Sequence, residues 1–289
     1  MRFSYVFCLL LLGFITACGG GGGGGSGDDG VASKTVTLFA SGLDQPKHMV
    51  FKDGTLYVAN MGTNSIKNAL SGSDFFSIPS FQPFGLAVYG NDLFFTGTGS
   101  AGGAGIYKNQ TNIVLKANYY GIGFANGKLY VADNTTNQVA TYDIASNFSL
   151  DPVARAIPQG FPQGIGVSGS DVFVTVLDPG MVIKISGATN ETMPWGSFNL
   201  PNAIVFDGTY AYIANKGDVT GNNGYISRKK MSDNSVAEVF ISASTGIWKT
   251  ANPGFCGLAG LAISGSYLYA SNGTCTGGTN ANSVLKIKL

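Results

Sequence analysis

The sequence predicts an all-β ring of six like units, and three observations carry that expectation. Six segments of equal length align without gaps, at 46–60, 83–97, 119–133, 162–176, 201–215 and 258–272. Each places a turn pair at the same offset: Asp53-Gly54, Gly90-Asn91, Asn126-Gly127, Gly169-Ser170, Gly208-Thr209 and Gly265-Ser266. Asp-Gly and Asn-Gly suit type I′ turns and Gly-first pairs suit type II′, the turns whose twist matches antiparallel strands. The third observation is the alternation within each first strand. One face is large (Met49 and Phe51, Leu86 and Val88, Ile122 and Phe124), whereas the other is small (Gly85 and Ala87, Gly121 and Gly123, Gly164 and Gly166, Gly260 and Ala262). Side chains alternate across a sheet with period two, so sheets stacked radially let the large face of one fill the small face of the next. The expected architecture is a six-bladed β-propeller rather than a sandwich.

The remaining elements follow in order. Third strands are expected at 65–70, 105–109, 138–144, 181–186, 225–231 and 284–289, and fourth strands are visible at 112–117 and 236–242. The last blade lacks a fourth strand of its own. Lys34 to Ala40 precedes the first hairpin and is expected to supply it, which removes an exposed edge. Composition agrees: 43 glycines among 289 residues, 12% aromatics and only 11% charged residues describe a turn-rich β protein. With 17 basic against 16 acidic residues there is no basic stripe, and no nucleic-acid partner is expected.

The repeat resembles the NHL-repeat family of six-bladed propellers, through Pro83-Phe84-Gly85-Leu86, Leu129-Tyr130-Val131-Ala132-Asp133 and Asn64-Ser65-Ile66. The resemblance spans the region from 34 to 289 and specifies fold better than function. Ahead of it, Arg2, an apolar run from Tyr5 to Ile15, and Ile15-Thr16-Ala17-Cys18 resemble a signal peptide ending in the bacterial lipoprotein box. That implies a signal peptide at 1–17 and a lipid on Cys18. A glycine-rich tether then runs over 18–33, and the propeller over 34–289. Gly19 after the lipidated cysteine implies the outer membrane of a bacterial envelope. The membrane, reached through the lipid anchor, is the first expected partner.

Cys8 leaves with the signal, so Cys256 and Cys275 remain. In the last hairpin Ser264 faces Tyr267, and the same register sets Cys256 opposite Cys275, within reach of a disulfide in an oxidising compartment. Free thiols are the alternative. The register also sets Lys47 against Asn60, Phe84 against Gly97, Tyr120 against Asp133, Gln163 against Val176, Asn202 against Asn215 and Ala259 against Asn272. These pairs share one end of the hairpins and so ring one opening. Lys47, Asn60, Tyr120, Asp133, Gln163, Asn202, Asn215 and Asn272 are therefore candidate ligand-binding residues, although Asn and Asp at strand ends also cap turns. His48, the only histidine, stands where four of the other five repeats carry Gly and one carries Ala. It is either a site residue or a filler between blades.

Gluconolactonase-like propellers resemble this repeat, and the resemblance implies a divalent metal held at Lys47, Phe84, Tyr120, Gln163, Asn202 and Ala259. Only Asn202 suits such a metal, so no metal and no other cofactor is expected, a divalent cation being the alternative. Streptogramin-lyase-like propellers use more than one histidine. No catalytic residue is assigned. Gly164-Ile165-Gly166-Val167-Ser168-Gly169 fits G-x-G-x-x-G but lies on a strand, with no helix to hold a phosphate. Asp218 to Gly224 is calcium-like without the closing Glu and is read as a polar turn. The expected function is a membrane-anchored platform for an envelope protein, a glycan or a small ligand. The alternative is a metal-assisted hydrolase or lyase.

Overall fold

The computed structural model describes residues 35–77, 79–99, 104–115, 118–151, 155–157, 160–187, 189–217, 223–242, 255, 257–273 and 281–289. They lie within one compact unit, Ser33–Leu289. Cys18, Cys256 and Cys275 lie outside the described residues, as do Lys34 and most of the polar turn at 218–224.

Six antiparallel sheets follow one another along the chain. Blade 1 is Pro46–Lys52, Thr55–Asn60, Ser65–Asn68 and Asp74–Ser77. Blades 2, 4 and 5 repeat that four-strand meander, opening with Phe81–Tyr89, Pro162–Ser168 and Pro201–Phe206. Blade 3 opens with Tyr119–Ala125, and its outer edge is split between Ser149–Leu150 and Arg155–Ala156. Blade 6 holds Leu261–Ser264, Tyr267–Asn272 and Ser283–Lys288, and its fourth strand is Val36–Ala40 from the other end of the chain. There Val36 pairs with Ile287 and Leu38 with Leu285, so the closing strand expected from the sequence is in place. Glycine-first turns at Gly90, Gly169 and Gly265 put only the glycine at positive φ, whereas Asp53-Gly54 and Asn126-Gly127 put both residues there, as types II′ and I′ require. The fifth turn keeps the same offset: the Asp207 N–H donates to the Tyr210 carbonyl at 3.1 Å, and Asp207 Oδ1 accepts from the N–H groups of Thr209 and Tyr210.

The apolar residues divide into six clusters, one per seam between blades. The small-against-large rule sets the direction of each seam. A Cβ added to Gly166 of blade 4 would lie 2.6 Å from the Ile204 carbonyl oxygen and 2.9 Å from Ile204 Cγ2 of blade 5. One added to Gly260 of blade 6 would lie 2.7 Å from His48 Cα of blade 1. Each glycine thus marks where the next blade's backbone approaches too closely for any side chain.

The register departs from the simple hairpin expectation at one recurring place. Met49 pairs with Val58, as counting from the turn requires, but beyond it Pro46 rather than Lys47 faces Asn60. The same slip sets Pro83 against Gly97, Tyr119 against Asp133, Pro162 against Val176 and Pro201 against Asn215. A β-bulge inserts one extra residue into the inner strand of each of these five blades, which bends the strand and re-aims its side chains. In blade 6 the ladder runs from Leu261 to Ser264 and continues through the bonds of Ser271 with Gly260 and Ala259; the expected Cys256–Cys275 pairing lies outside the described residues.

Candidate functional site

The bulges build the mouth of the ring. Lys47, Phe84, Tyr120, Gln163 and Asn202 are the residues displaced by the five bulges, and all five line one cavity of about 490 Å³. Ala259, at the matching place in blade 6, completes the circle, and Gln45, Asn134, Phe161, Leu177, Leu200 and Lys216 come from the loops above. An unbulged strand would have turned these side chains with the regular pleat. The bulge brings them together over the axis.

The second strands contribute differently. Their Asn and Asp ends are buried and bonded within the fold, not presented to the mouth. Asn60 Oδ1 accepts from the Asp44 N–H at 2.7 Å and its amide donates to Thr63 Oγ1 at 2.6 Å. Asn215 Oδ1 accepts from the Asn199 N–H, while its amide donates to Ser227 Oγ at 3.0 Å and to the Ile213 carbonyl. Asp133 Oδ1 accepts from Thr135 and Thr136 N–H groups at 3.0 and 3.2 Å. Asn272 is also fully buried. Asn60, Asp133 and Asn215 stitch the connecting loops to the hairpins, because a polar side chain at a buried strand end must satisfy the backbone groups beside it. The structure therefore separates the eight mouth candidates into Lys47, Tyr120, Gln163 and Asn202, which line the cavity, and Asn60, Asp133, Asn215 and Asn272, which do not.

A hydroxyl device supports alternate bulges. Thr96 Oγ1 accepts from the Gly85 N–H at 3.0 Å, Thr175 Oγ1 from Gly164 at 2.8 Å, and Ser271 Oγ from Gly260 at 2.7 Å. Blades 1, 3 and 5 carry Ala59, Ala132 and Ala214 at the same place. Thr96 Oγ1 also donates to the Tyr120 carbonyl, tying blade 2 to blade 3 at the rim.

His48 does more than fill a seam. Its ring lies 5.4 Å from that of Phe84 in the next blade, and its Nε2 is 3.4 Å from the carbonyl oxygen of Asn202 in blade 5. Asn202 in turn donates its side-chain amide to the Leu258 carbonyl at 2.8 Å. His48 also lines a second, smaller cavity of about 390 Å³, whose walls are largely apolar and come from all six inner strands. Burial pushes the imidazole down to about 4, the Asn202 carbonyl opposes that shift, and the Lys47 charge adds to it. At neutral pH the ring is uncharged, with its proton on Nε2.

Lys47 lies under the same influences. Burial and then the Lys216 ammonium hold it below the ordinary lysine range, and its Nζ sits 5.8 Å from the Phe84 ring centroid. Tyr120 meets that ring edge-on at 4.4 Å, and burial raises its hydroxyl. The described wall of the mouth is thus part aromatic and part amide, with two ammonium groups. No Asp or Glu stands among its described lining residues. Among the described residues, no three His, Cys, Asp or Glu side chains come together as a metal would need.

Comparison with known proteins agrees on architecture. No protein-family model and no curated protein matches the sequence. Among solved structures, a Bacteroides thetaiotaomicron protein of unknown function superposes with a TM-score of 0.66 at 12% identity, over 89% of this chain and 76% of that one. A gluconolactonase from Xanthomonas campestris gives 0.61 at 10% identity over 90% and 91%. Virginiamycin B lyase from Staphylococcus aureus gives 0.52 at 15% identity over 91% and 83%. The fold is the six-bladed propeller that these proteins share. Identities this low carry the fold alone.

Proposed function

We propose that the chain is a tethered binding module that receives a small ligand in the mouth of its propeller. The observation that carries this reading is the convergence of five bulged residues on one cavity. Its volume lies within the range of small-molecule sites, and its wall mixes aromatic faces with a few polar groups. The lipid on Cys18 and the glycine tether would hold that mouth near an outer membrane. The rigid ring would present it without a large ordering cost on binding.

Two measurements test the reading. A panel of saccharides and small organic acids titrated into the full-length protein should contain binders, and Ala259→Trp, which fills the mouth, should abolish them. Binding that survives the filled mouth would remove the cavity from the argument. Changing Cys18→Ser should release the protein from membranes, and continued retention would remove the anchor.

A metal-assisted hydrolase or lyase is the second reading, favoured by the likeness in fold to a gluconolactonase and a virginiamycin lyase. Metal analysis of the purified protein separates the two, since the binding module needs no ion.

A further inference from the structure

We propose that the second cavity, between His48 and the hairpin turns, binds a small uncharged molecule with an apolar body and one O–H or N–H donor. Indoles and phenols have that chemistry. The site is separate from the mouth and does not depend on it.

The wall gives the apolar half. A volume of about 390 Å³ lies within the range of small-molecule sites. Phe51, Val88, Phe124, Val167, Phe206 and Ile263 ring its turn-side end, one from each blade and each two positions before the turn pair. All six are only partly buried. Single exposed apolar side chains carry no meaning, but six in one ring mark a binding surface. Among the described residues no Asp, Glu, Lys or Arg lines this cavity. An ion entering it would shed its water without gaining a charged partner, which selects a neutral ligand.

His48 gives the polar half. It is the one polar side chain among the described residues of the wall, and it is 8% exposed. Its Nε2 donates to the Asn202 carbonyl, and burial keeps the ring uncharged at neutral pH. Nδ1 is then a lone-pair acceptor, and no group of the described residues donates to it. A buried acceptor without a donor costs free energy that an entering O–H or N–H removes. The ring of apolar side chains and the imidazole therefore ask for the two ends of one small molecule.

The test titrates indole, benzofuran and benzoate into the full-length protein by calorimetry, before and after His48→Phe. Indole and benzofuran share a shape, but only indole carries an N–H. Both should bind, and the ratio of indole to benzofuran affinity should fall about fivefold in His48→Phe, the worth of one hydrogen bond. Ala259→Trp, which fills the mouth, should leave indole binding in place, and in that variant benzoate should bind at least about tenfold more weakly than indole. His48 is the only histidine, so its ring nitrogens can be followed by NMR in the unsubstituted protein whether or not His48→Phe folds. Indole should shift the Nδ1 resonance more than benzofuran does. An unchanged affinity ratio, or equal Nδ1 shifts, would overturn the pairing with His48. Loss of indole binding in Ala259→Trp would return the ligand to the mouth and overturn the second site. So would failure of indole to bind at all, even if the mouth takes ligands from the wider panel.

Discussion

The imidazole of His48, in the first blade, donates to the backbone carbonyl of Asn202, in the fifth, at 3.4 Å. Blade 6 lies between them in the ring, and its small Ala259 and Gly260 leave the space across which they meet. This contact makes the floor of the mouth sensitive to acid.

The first prediction concerns that sensitivity. Folded His48 titrates at about 4 and the unfolded residue near 6.5, so on acidification the unfolded chain takes up the proton first. The stabilising contribution is whole above pH 6.5, is lost as pH falls toward 4, and changes no further below that. Its upper size is about 3 kcal/mol. His48→Gln keeps a donor for the Asn202 carbonyl and should flatten this part of the profile. Urea unfolding of both proteins at pH 7 and pH 4.5 measures it, and parallel losses would show that His48 is not the group.

A second prediction concerns the seams. Gly166→Ala would drive a methyl group against the Ile204 carbonyl and Cγ2 and the Phe206 ring. The neighbour there is largely backbone, so relief requires blades 4 and 5 to separate. The cost should be about 1–3 kcal/mol in equilibrium unfolding. An unchanged midpoint would mean the seams are looser than described.

The third concerns the hydroxyls behind the bulges. Thr175→Ala removes the acceptor for the Gly164 N–H, which is buried beneath the rim. An unsatisfied buried donor costs about 1–3 kcal/mol. Because Gln163 is the neighbour of that glycine, the change should also weaken any ligand of the mouth. Denaturation and the panel titration described above read the two effects separately.

The fourth concerns closure. Deleting 35–40 removes the buried Val36 and Ala40 and strips the ladder from Ser283–Lys288. A loss of at least about 3 kcal/mol is expected, lowering the melting temperature by about 10 °C. Unchanged melting would contradict the pairing of Val36 with Ile287.

Most of the architecture was legible because it depends on periodicity. Turn pairs at constant offset and alternating glycines give the blades, their number and the stacking direction, and Val36–Ala40 was found as the strand the last sheet lacked. The short outer strands Asp74–Ser77 and Thr189–Thr192 were missed: four residues are too few to show a period, and the second is polar and mostly exposed. The bulges were missed for another reason. One inserted residue leaves the alternation intact up to the slip, so counting from the turn gives no warning. A signal existed: Pro46, Pro83, Pro162 and Pro201 all stand at the slip, and proline within a sheet belongs at strand starts and bulges. Reading it would have kept Lys47, Tyr120, Gln163 and Asn202 and set aside Asn60, Asp133, Asn215 and Asn272. The Thr96, Thr175 and Ser271 hydroxyls were also within reach, as an alternation with alanine at the penultimate place of the aligned segments.

The pairing of Val36–Ala40 with Ser283–Lys288 also orders events in time. Thr37 and Lys286 are 249 positions apart, yet they meet in the same sheet. A chain emerging from a ribosome makes the first of these strands about 250 residues before its partner. Five blades can form their local hairpins as they appear, but the ring stays open until Ser283–Lys288 is made. Until then the early strand has no sheet to join and the sixth blade shows a bare edge. A chain that stops before Ser283 would thus be left with an unsealed seam, the kind of edge that proteases and chaperones engage.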